Sequence, residues 1–183
     1  VDYLAKLDSG VAGLRIAVPS GFFMDPIDPQ TETAFVAAVE VLRELGAELV
    51  TVDVSYLTGS LEAEFAIIAP EAAAYHHLNL RKHPELIDPQ IRGMLIAGAA
   101  LPSSYYLTAL RWRRQIVTRM RATFDDNRLD ALITPTVPAF AQLHDQQEFV
   151  YPGGGEPVGS SFVRTTAPFN LTGQPALSVP CGF

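Results

Sequence analysis

The side chains of this sequence that could carry hydrolytic chemistry are its serines, one cysteine and four histidines. Nucleophilic hydrolysis needs a Ser, Cys or Thr beside a base. No G-x-S-x-G segment, the pattern of a nucleophile elbow, is present. Ser160 and Ser161 follow a glycine but have no base near them in the sequence, and no motif links Cys181 to a histidine. We therefore interpret all three as loop or core residues and assign no catalytic residue to the chain.

Metal and phosphate binding are the other chemistries that the residue types could support. His76, His77 and His83 do not have the H-E-x-x-H spacing, and no cysteine or acidic partner stands at ligand spacing from them. The glycines at 153–155 do not open a helix after a strand, so they do not predict a phosphate cradle. The sequence therefore predicts no metal site and no cofactor.

Composition narrows the class of protein. The chain has 183 residues, of which 48% are hydrophobic and 18% are charged, and its net charge is −7. This is enough apolar material for one domain with its own core, whereas the acidic balance argues against a nucleic-acid partner or a membrane surface. No apolar run reaches the roughly 18 residues that would span a bilayer. A single cysteine excludes a disulfide framework and favours a cytoplasmic location.

The elements that would position any site begin with a strand, a helix and a second strand. A short β-branched strand is predicted at 14–18, and Asp28-Pro29 is typical of a helix start. Gly46 is placed to end that helix, and the alternating residues 48–54 predict the second strand. Short links between these elements predict a parallel pair.

The rest of the chain continues the alternation of helices and strands. Residues 61–102 are predicted mostly helical, with Pro70 and Pro84 as boundaries or kinks. The further expected elements are a helix at 104–124, strands at 130–134 and 176–179, and a long loop at 135–165. The expected fold is an α/β fold with a mixed sheet covered by helices on both faces.

Several phrases in a fixed order resemble the amidase-signature family. They are Gly13–Pro19 (GLRIAVP), Leu42–Ala47 (LRELGA), Tyr106–Ala109 (YLTA) with Arg113, Asp130–Thr136 (DALITPT), Thr166–Pro175 (TAPFNLTGQP) and Ser178–Phe183 (SVPCGF). Together they span nearly the whole chain. The resemblance implies an α/β/α amidase-signature fold and a serine hydrolase that cleaves carboxylic amides.

The resemblance also bears on where the catalytic residues are. Family members use two serines and a lysine within an earlier Gly/Ser-rich signature, and no such signature occurs here. The only lysines, Lys6 and Lys82, lie in other contexts. The resemblance therefore implies that residues 1–183 are the C-terminal part of one amidase domain, that the triad lies on a portion absent from this chain, and that the chain alone is inactive. Val1 and the strand predicted just before the end favour the same interpretation.

Residues that could contribute to a substrate pocket follow from this interpretation. Pro135 and Thr136 stand at the expected carboxyl end of a strand, where ligands of α/β sheets bind. Tyr106 and Arg113 are seven residues apart and share a helix face, with Trp112 beside them. Arg113 could act as a donor fork for the substrate. The alternative is that the two aromatic residues are core residues and that Arg113 pairs with a carboxylate.

The sequence leaves alternatives open for the substrate and for the partners. Segment 161–165 contains no carboxylate and has the basic Arg164, which favours a general amidase acting on neutral amides over the glutamine-using subunit of a tRNA amidotransferase. A non-catalytic α/β binding domain is a third hypothesis. The expected partners are a small-molecule amide and the remainder of the amidase chain, and a homodimer is left open.

Overall fold

Three parallel strands form the central sheet of the computed structural model, which describes residues 8–182. They are β1 (Arg15–Ser20), β2 (Glu48–Asp53) and β3 (Ala131–Leu132), in the order β2-β1-β3. Ala17 in the central strand pairs with Val50 on one side and with Leu132 on the other. The strands predicted near 14–18, 48–54 and 130–134 are confirmed, although the third is only two residues long.

Helix α1 (Pro29–Glu44) connects the two long strands and begins and ends where local signals place it. The Asp28 carboxylate accepts hydrogen bonds from the backbone N–H groups of Gln30 and Thr31, with Pro29 in the first turn. This satisfies donors that a helix start otherwise leaves free. Gly46 lies just past the end with φ +90°, a conformation that L side chains rarely adopt.

Helix α2 (Ser60–Lys82) continues through Pro70 without a break, so this proline does not mark a helix boundary. Pro84 instead opens a 3₁₀ turn that separates α2 from α3 (Pro89–Ala100). The backbones of α2 and α3 approach closely: a Cβ atom added at Gly98 would lie 2.2 Å from the carbonyl oxygen of Ala69. Helix α4 (Ser103–Asn127) extends the predicted 104–124 at both ends.

The predicted loop at 135–165 is wrong in its second half. Strands β4 (Glu148–Tyr151) and β5 (Gly154–Pro157) form an antiparallel hairpin, and helix α5 (Val158–Arg164) follows it. β5 reads GGEP, so it has no apolar alternation from which a strand could be predicted. Backbone pairing with β4 creates this strand.

The strand predicted at 176–179 is also wrong. After α6 (Ala167–Thr172), the chain from 174 to 182 has no regular secondary structure. Leu177 and Val179 are 88% and 70% exposed. A strand requires a neighbour for its N–H and C=O groups, and no described residue pairs with this segment.

Apolar side chains gather in two clusters. The main core brings residues of the sheet together with α2, α4 and α6, including Ala17, Val52, Ile67 and Ile116. The hairpin cluster joins the hairpin to α5 and is defined by Ala139, Phe149, Tyr151 and Val158, with Phe162 packed against them. Ile16 and the α1 residues Phe35 and Val39 are buried outside both. This arrangement of helices around a parallel sheet confirms the α/β class.

Candidate functional site

Helix α4 carries two of the predicted site residues toward α2 and α6. Tyr106 and Arg113 lie two turns apart on one face of α4. The Tyr106 hydroxyl donates to Oε1 of Glu71 on α2 at 2.8 Å. This hydrogen bond to a carboxylate, with burial as a smaller cause, raises the pKa of Tyr106 above its ordinary value. The contact fixes the Tyr106 ring at the edge of the main core.

Arg113 holds the short helix α6. Its Nε atom donates to the backbone carbonyl oxygen of Leu171 at 2.7 Å. This bond satisfies a carbonyl near the C-terminal end of α6, where the last carbonyls lack partners within the helix. The partner of Arg113 is thus a backbone oxygen rather than the carboxylate considered from sequence. Because only Nε is used, the two terminal nitrogens of the guanidinium take no part in this contact.

A second carboxylate of α2 reaches the same helix. Oε1 of Glu64 accepts a hydrogen bond from the Asn170 side-chain amide at 2.7 Å. The other oxygen, Oε2, is buried, and it accepts no hydrogen bond from the described residues. The side-chain oxygen of Gln174, two residues beyond α6, is buried without a described donor as well.

We call these three contacts the polar seam, because each of them joins two of the helices α2, α4 and α6. It lies where α2, α4 and α6 meet, and its members are Glu64, Glu71, Tyr106, Arg113, Asn170 and Leu171. Sequence reasoning missed both glutamates. A usable signal was present, because the two glutamates are seven residues apart on α2, as are Tyr106 and Arg113 on α4.

Trp112 lies apart from the polar seam. Its half-buried indole packs against the main core. A Cβ atom at Gly59, the residue that precedes α2, would lie 3.5 Å from the ring. The structure therefore brings Tyr106 and Arg113 into one set of contacts and gives Trp112 a packing position where α4 meets the start of α2.

Pro135 and Thr136 lie just beyond the carboxyl end of β3, as predicted. Pro135 is buried and Thr136 is exposed. The Thr136 carbonyl oxygen accepts a hydrogen bond from the Thr165 hydroxyl at 2.6 Å. The Thr136 hydroxyl lies 3.2 Å from the Ser178 hydroxyl. This end of the sheet is therefore a junction of three segments, and no hydrogen bond between the described residues joins it to the polar seam.

Arg164, the basic residue of segment 161–165 from which the sequence favoured neutral amides, is buried in the interior. Its Nε atom contacts both carboxylate oxygens of Glu156 at 3.2 and 3.3 Å. Its terminal nitrogens donate to the carbonyl oxygens of Phe22 and Pro26 at 3.1 and 2.6 Å. With its charge paired and each of its three nitrogens hydrogen-bonded, Arg164 has a structural role and does not present a charge to a ligand.

Two grooves open on the described surface. One, of about 410 Å³, lies beside the carboxyl end of β2 and has Asp53, Tyr56 and Arg119 in its walls. The other, of about 390 Å³, lies between α2, α3 and the start of α4, where His77 and Tyr106 line it. Tyr106 is the one predicted site residue that lines either groove.

Two kinds of feature are absent from residues 8–182. No three His, Cys, Asp or Glu side chains in this range are grouped so that they could hold a metal ion. None of the helices in the same range combines the length and the apolar character that crossing a membrane requires.

Sequence comparisons find related proteins along nearly the whole chain. The family model described as Amidase matches residues 2–183. A protein named Amidase from Pseudomonas putida is 38% identical over 182 residues, which are 99% of this chain and 39% of that protein. A glutamyl-tRNA(Gln) amidotransferase subunit from Chloroflexus aggregans is 32% identical over 204 residues, covering 100% of this chain and 41% of that one. The chain thus spans about two-fifths of the length of these relatives.

Solved structures give the same result for the fold. A crystal structure described as that of an amidase superposes with a TM-score of 0.79 at 30% identity, over 90% of this chain and 37% of the other. A bacterial aryl acylamidase of the amidase signature family gives a TM-score of 0.81 at 21% identity, over 100% of this chain and 40% of the other. At that identity, the second match supports the fold alone.

Proposed function

The chain belongs to the amidase family, and from that premise we propose that it forms part of an enzyme that hydrolyses carboxylic amides through a serine acyl-enzyme. In this mechanism a serine attacks the amide carbon, backbone N–H groups hold the oxyanion, ammonia or an amine leaves, and water releases the acid. The nucleophile and its base belong to a portion of the enzyme outside these residues. This chain contributes substrate contacts.

One observation carries the proposal: the family model matches almost the whole chain, while neither Ser161 nor Cys181, the candidate nucleophiles within residues 8–182, has a base beside it. The matched residues cover 2–183. The buried Ser161 is hydrogen-bonded to the Tyr151 hydroxyl within the hairpin cluster, and Cys181 is an exposed residue of the irregular segment after α6. Neither has the partner that activates a nucleophile.

We assign the substrate contacts to Tyr106 and Arg113 first. The guanidinium of Arg113 is held through Nε, so its terminal nitrogens can donate to a substrate oxygen in a fixed direction. Tyr106 lines a groove and is fixed by Glu71. Trp112, Pro135 and Thr136 belong to the proposed pocket wall. Positioning of this kind lowers the barrier because the substrate is oriented before the chemical step.

The second candidate is a component of a glutamine-using amidotransferase. It is favoured by the relatives of that name, one of which is 32% identical over the whole of this chain. The identity of 38% to a protein named Amidase favours the first candidate. Both candidates use acyl-enzyme chemistry. They differ in the amide substrate and in the molecule that accepts the ammonia.

Active-site labelling tests the location of the nucleophile. A fluorophosphonate probe should leave the 183-residue chain unlabelled, and it should label the complete enzyme at one serine outside these residues. Stoichiometric labelling of a serine of this chain by itself would place the nucleophile here and refute the division that we propose.

Steady-state kinetics without an acceptor tests the choice between the two candidates. The complete enzyme should hydrolyse simple amides with a kcat/KM above that for glutamine, and Arg113→Ala should lower kcat/KM for them. If glutamine is preferred by tenfold or more, the amidotransferase assignment replaces the amidase. If Arg113→Ala matches the parent on every substrate, Arg113 only supports α6.

A further inference from the structure

We propose that the groove between α2, α3 and the start of α4 binds the acyl chain of the amide substrate, and that Ala74 and Ala99 set the size of the chain that fits. The inference rests on the proposed amide hydrolysis and specifies its substrate class, which is amides with an uncharged, apolar acyl chain. The groove has a volume of about 390 Å³, within the range of about 300–1,000 Å³ that is typical of small-molecule sites.

The walls of this groove favour an apolar ligand group over a charged one. None of the described residues that line it is Asp, Glu, Lys or Arg, and two-thirds of them are small or apolar, Ala74 and Ala99 among them. Two of its three polar side chains already have partners. Nδ1 of His77 lies 2.9 Å from the Ala74 carbonyl oxygen, and the Tyr106 hydroxyl donates to Glu71. A charged group would lose hydration here without a counter-charge, whereas an apolar chain gains by leaving water.

The groove has its shape before a ligand binds. A Cβ atom at Gly98 would lie 2.2 Å from the carbonyl oxygen of Ala69, so the backbones of α3 and α2 are in direct contact at the base of the groove. The side chains of Ala74 and Ala99 are exposed above this contact, and larger residues at these positions would fill the groove without entering the core. A preformed site loses less conformational freedom when a ligand binds.

The groove lies along α4 at a distance from Arg113 that an acyl chain can cover. Tyr106 lines the groove and precedes Arg113 by seven residues, which is roughly 10 Å along the helix. The pKa of Tyr106 is raised chiefly by its hydrogen bond to Glu71, and the Arg113 charge acts on it in the opposite direction, so the two side chains are within electrostatic range. An extended chain gains roughly 1.2 Å per bond, so a substrate whose carbonyl oxygen is held by Arg113 reaches the groove with about eight carbons.

Octanamide and acetamide provide the test, because both are neutral primary amides that differ only in the length of the acyl chain. In the complete enzyme, kcat/KM for octanamide should exceed that for acetamide at least tenfold, since each methylene group that leaves water adds roughly a fourfold factor. This ratio should fall at least fivefold in Ala74→Leu and in Ala99→Leu, because the larger side chain occupies the groove. Ala97→Leu is the matched control, since Ala97 is an exposed residue of α3 that does not line the groove, and it should leave the ratio within twofold of the parent.

A ratio near one in the parent would overturn the proposal, as would a ratio that both groove variants leave unchanged or that Ala97→Leu lowers equally. Equal losses on both amides leave the ratio unchanged, and they would show that the groove packs against another part of the enzyme. If the parent hydrolyses neither amide, the proposed amide hydrolysis fails, and calorimetric binding of octanamide decides on the groove separately. Binding at least fivefold weaker in Ala99→Leu than in Ala97→Leu supports the inference, and equal binding, or no binding to the parent, refutes it.

Discussion

The main core and the hairpin cluster are held together by different forces. The main core collects residues from two strands and from α2, α4 and α6, such as the fully buried Met120, together with the fully buried Phe23 and Leu57 from the connecting turns. The hairpin cluster has four buried members, all from residues 139–158. Polar contacts accompany it: Tyr151 is hydrogen-bonded to Ser161, and Arg164 ties α5 to the loop that follows β1.

This difference shows how a small cluster becomes part of a larger fold. Burial of apolar area scales with the number of side chains enclosed, so the main core needs few polar contacts. The four buried side chains of the hairpin cluster enclose less apolar area. Buried hydrogen bonds and an ion pair position this cluster instead. Polar substitutions should therefore damage the hairpin cluster, whereas changes in volume should damage the helices around the main core.

The largest effect is expected for Arg164→Ala. The change leaves Glu156 and two backbone carbonyls without their partner in the interior. Removing one member of a buried pair costs about 3–5 kcal/mol. Arg43→Ala is the control, because its pair with Glu40 is exposed, and such pairs are worth about 1 kcal/mol or less. Urea denaturation measures both, and equal losses would contradict the comparison.

A smaller effect, on the packing of α3 against the main-core helix α2, is expected for Gly98→Ala. The added Cβ atom would meet the Ala69 carbonyl oxygen at 2.2 Å, so α3 must move away from α2. Overpacking of this kind costs about 1–3 kcal/mol. In Gly93→Ala, on the same helix, the added atom meets nothing within 4 Å, and the better helix propensity of alanine should stabilise by up to about 1 kcal/mol. Opposite signs in the free energies of unfolding are expected, and the same sign for both would show that α2 and α3 do not pack this closely.

Tyr151→Phe tests the polar part of the hairpin cluster alone. It keeps the ring and removes the hydroxyl, which leaves the buried Ser161 hydroxyl without its partner. An unsatisfied buried group costs about 1–3 kcal/mol. Tyr105→Phe, at an exposed position of α4, should change the free energy of unfolding by less than about 0.5 kcal/mol. A Tyr151→Phe protein as stable as the parent would mean that apolar packing alone holds the cluster.

The smallest predicted effect is a fall in the free energy of unfolding at alkaline pH, to which both regions should contribute. Burial raises the pKa of Tyr151 in the hairpin cluster and of Tyr56 beside the main core. Because the folded state favours the protonated phenol, the stabilisation is complete below the ordinary pKa of about 10 and is lost as pH rises through the higher folded value. The free energy of unfolding should therefore fall above about pH 10. Tyr56→Phe and Tyr151→Phe should each reduce the fall, and a fall unchanged in both variants would assign it to other groups.

Local signals determined much of the fold. The Asp28-Pro29 start, the Gly46 end and the flanking strands define β1-α1-β2 through interactions between near neighbours in the sequence. The family phrases indicated the family, and the family match confirms the membership that they implied. Tyr106 and Arg113 could be assigned to one face because helical spacing requires it.

Contacts between distant residues were decided only by the tertiary structure. Glu64 and Asn170 are 106 positions apart, and Arg164 meets Phe22 across 142. No periodicity reports such pairs, because each residue has an ordinary place in its own helix. Strands depend on partners in the same way. The GGEP segment of β5 is a strand because β4 lies beside it. The apolar segment 176–179 is not a strand, because no described strand lies beside it. Hydrogen bonding between strands belongs to the pair, so a single segment's composition cannot determine it.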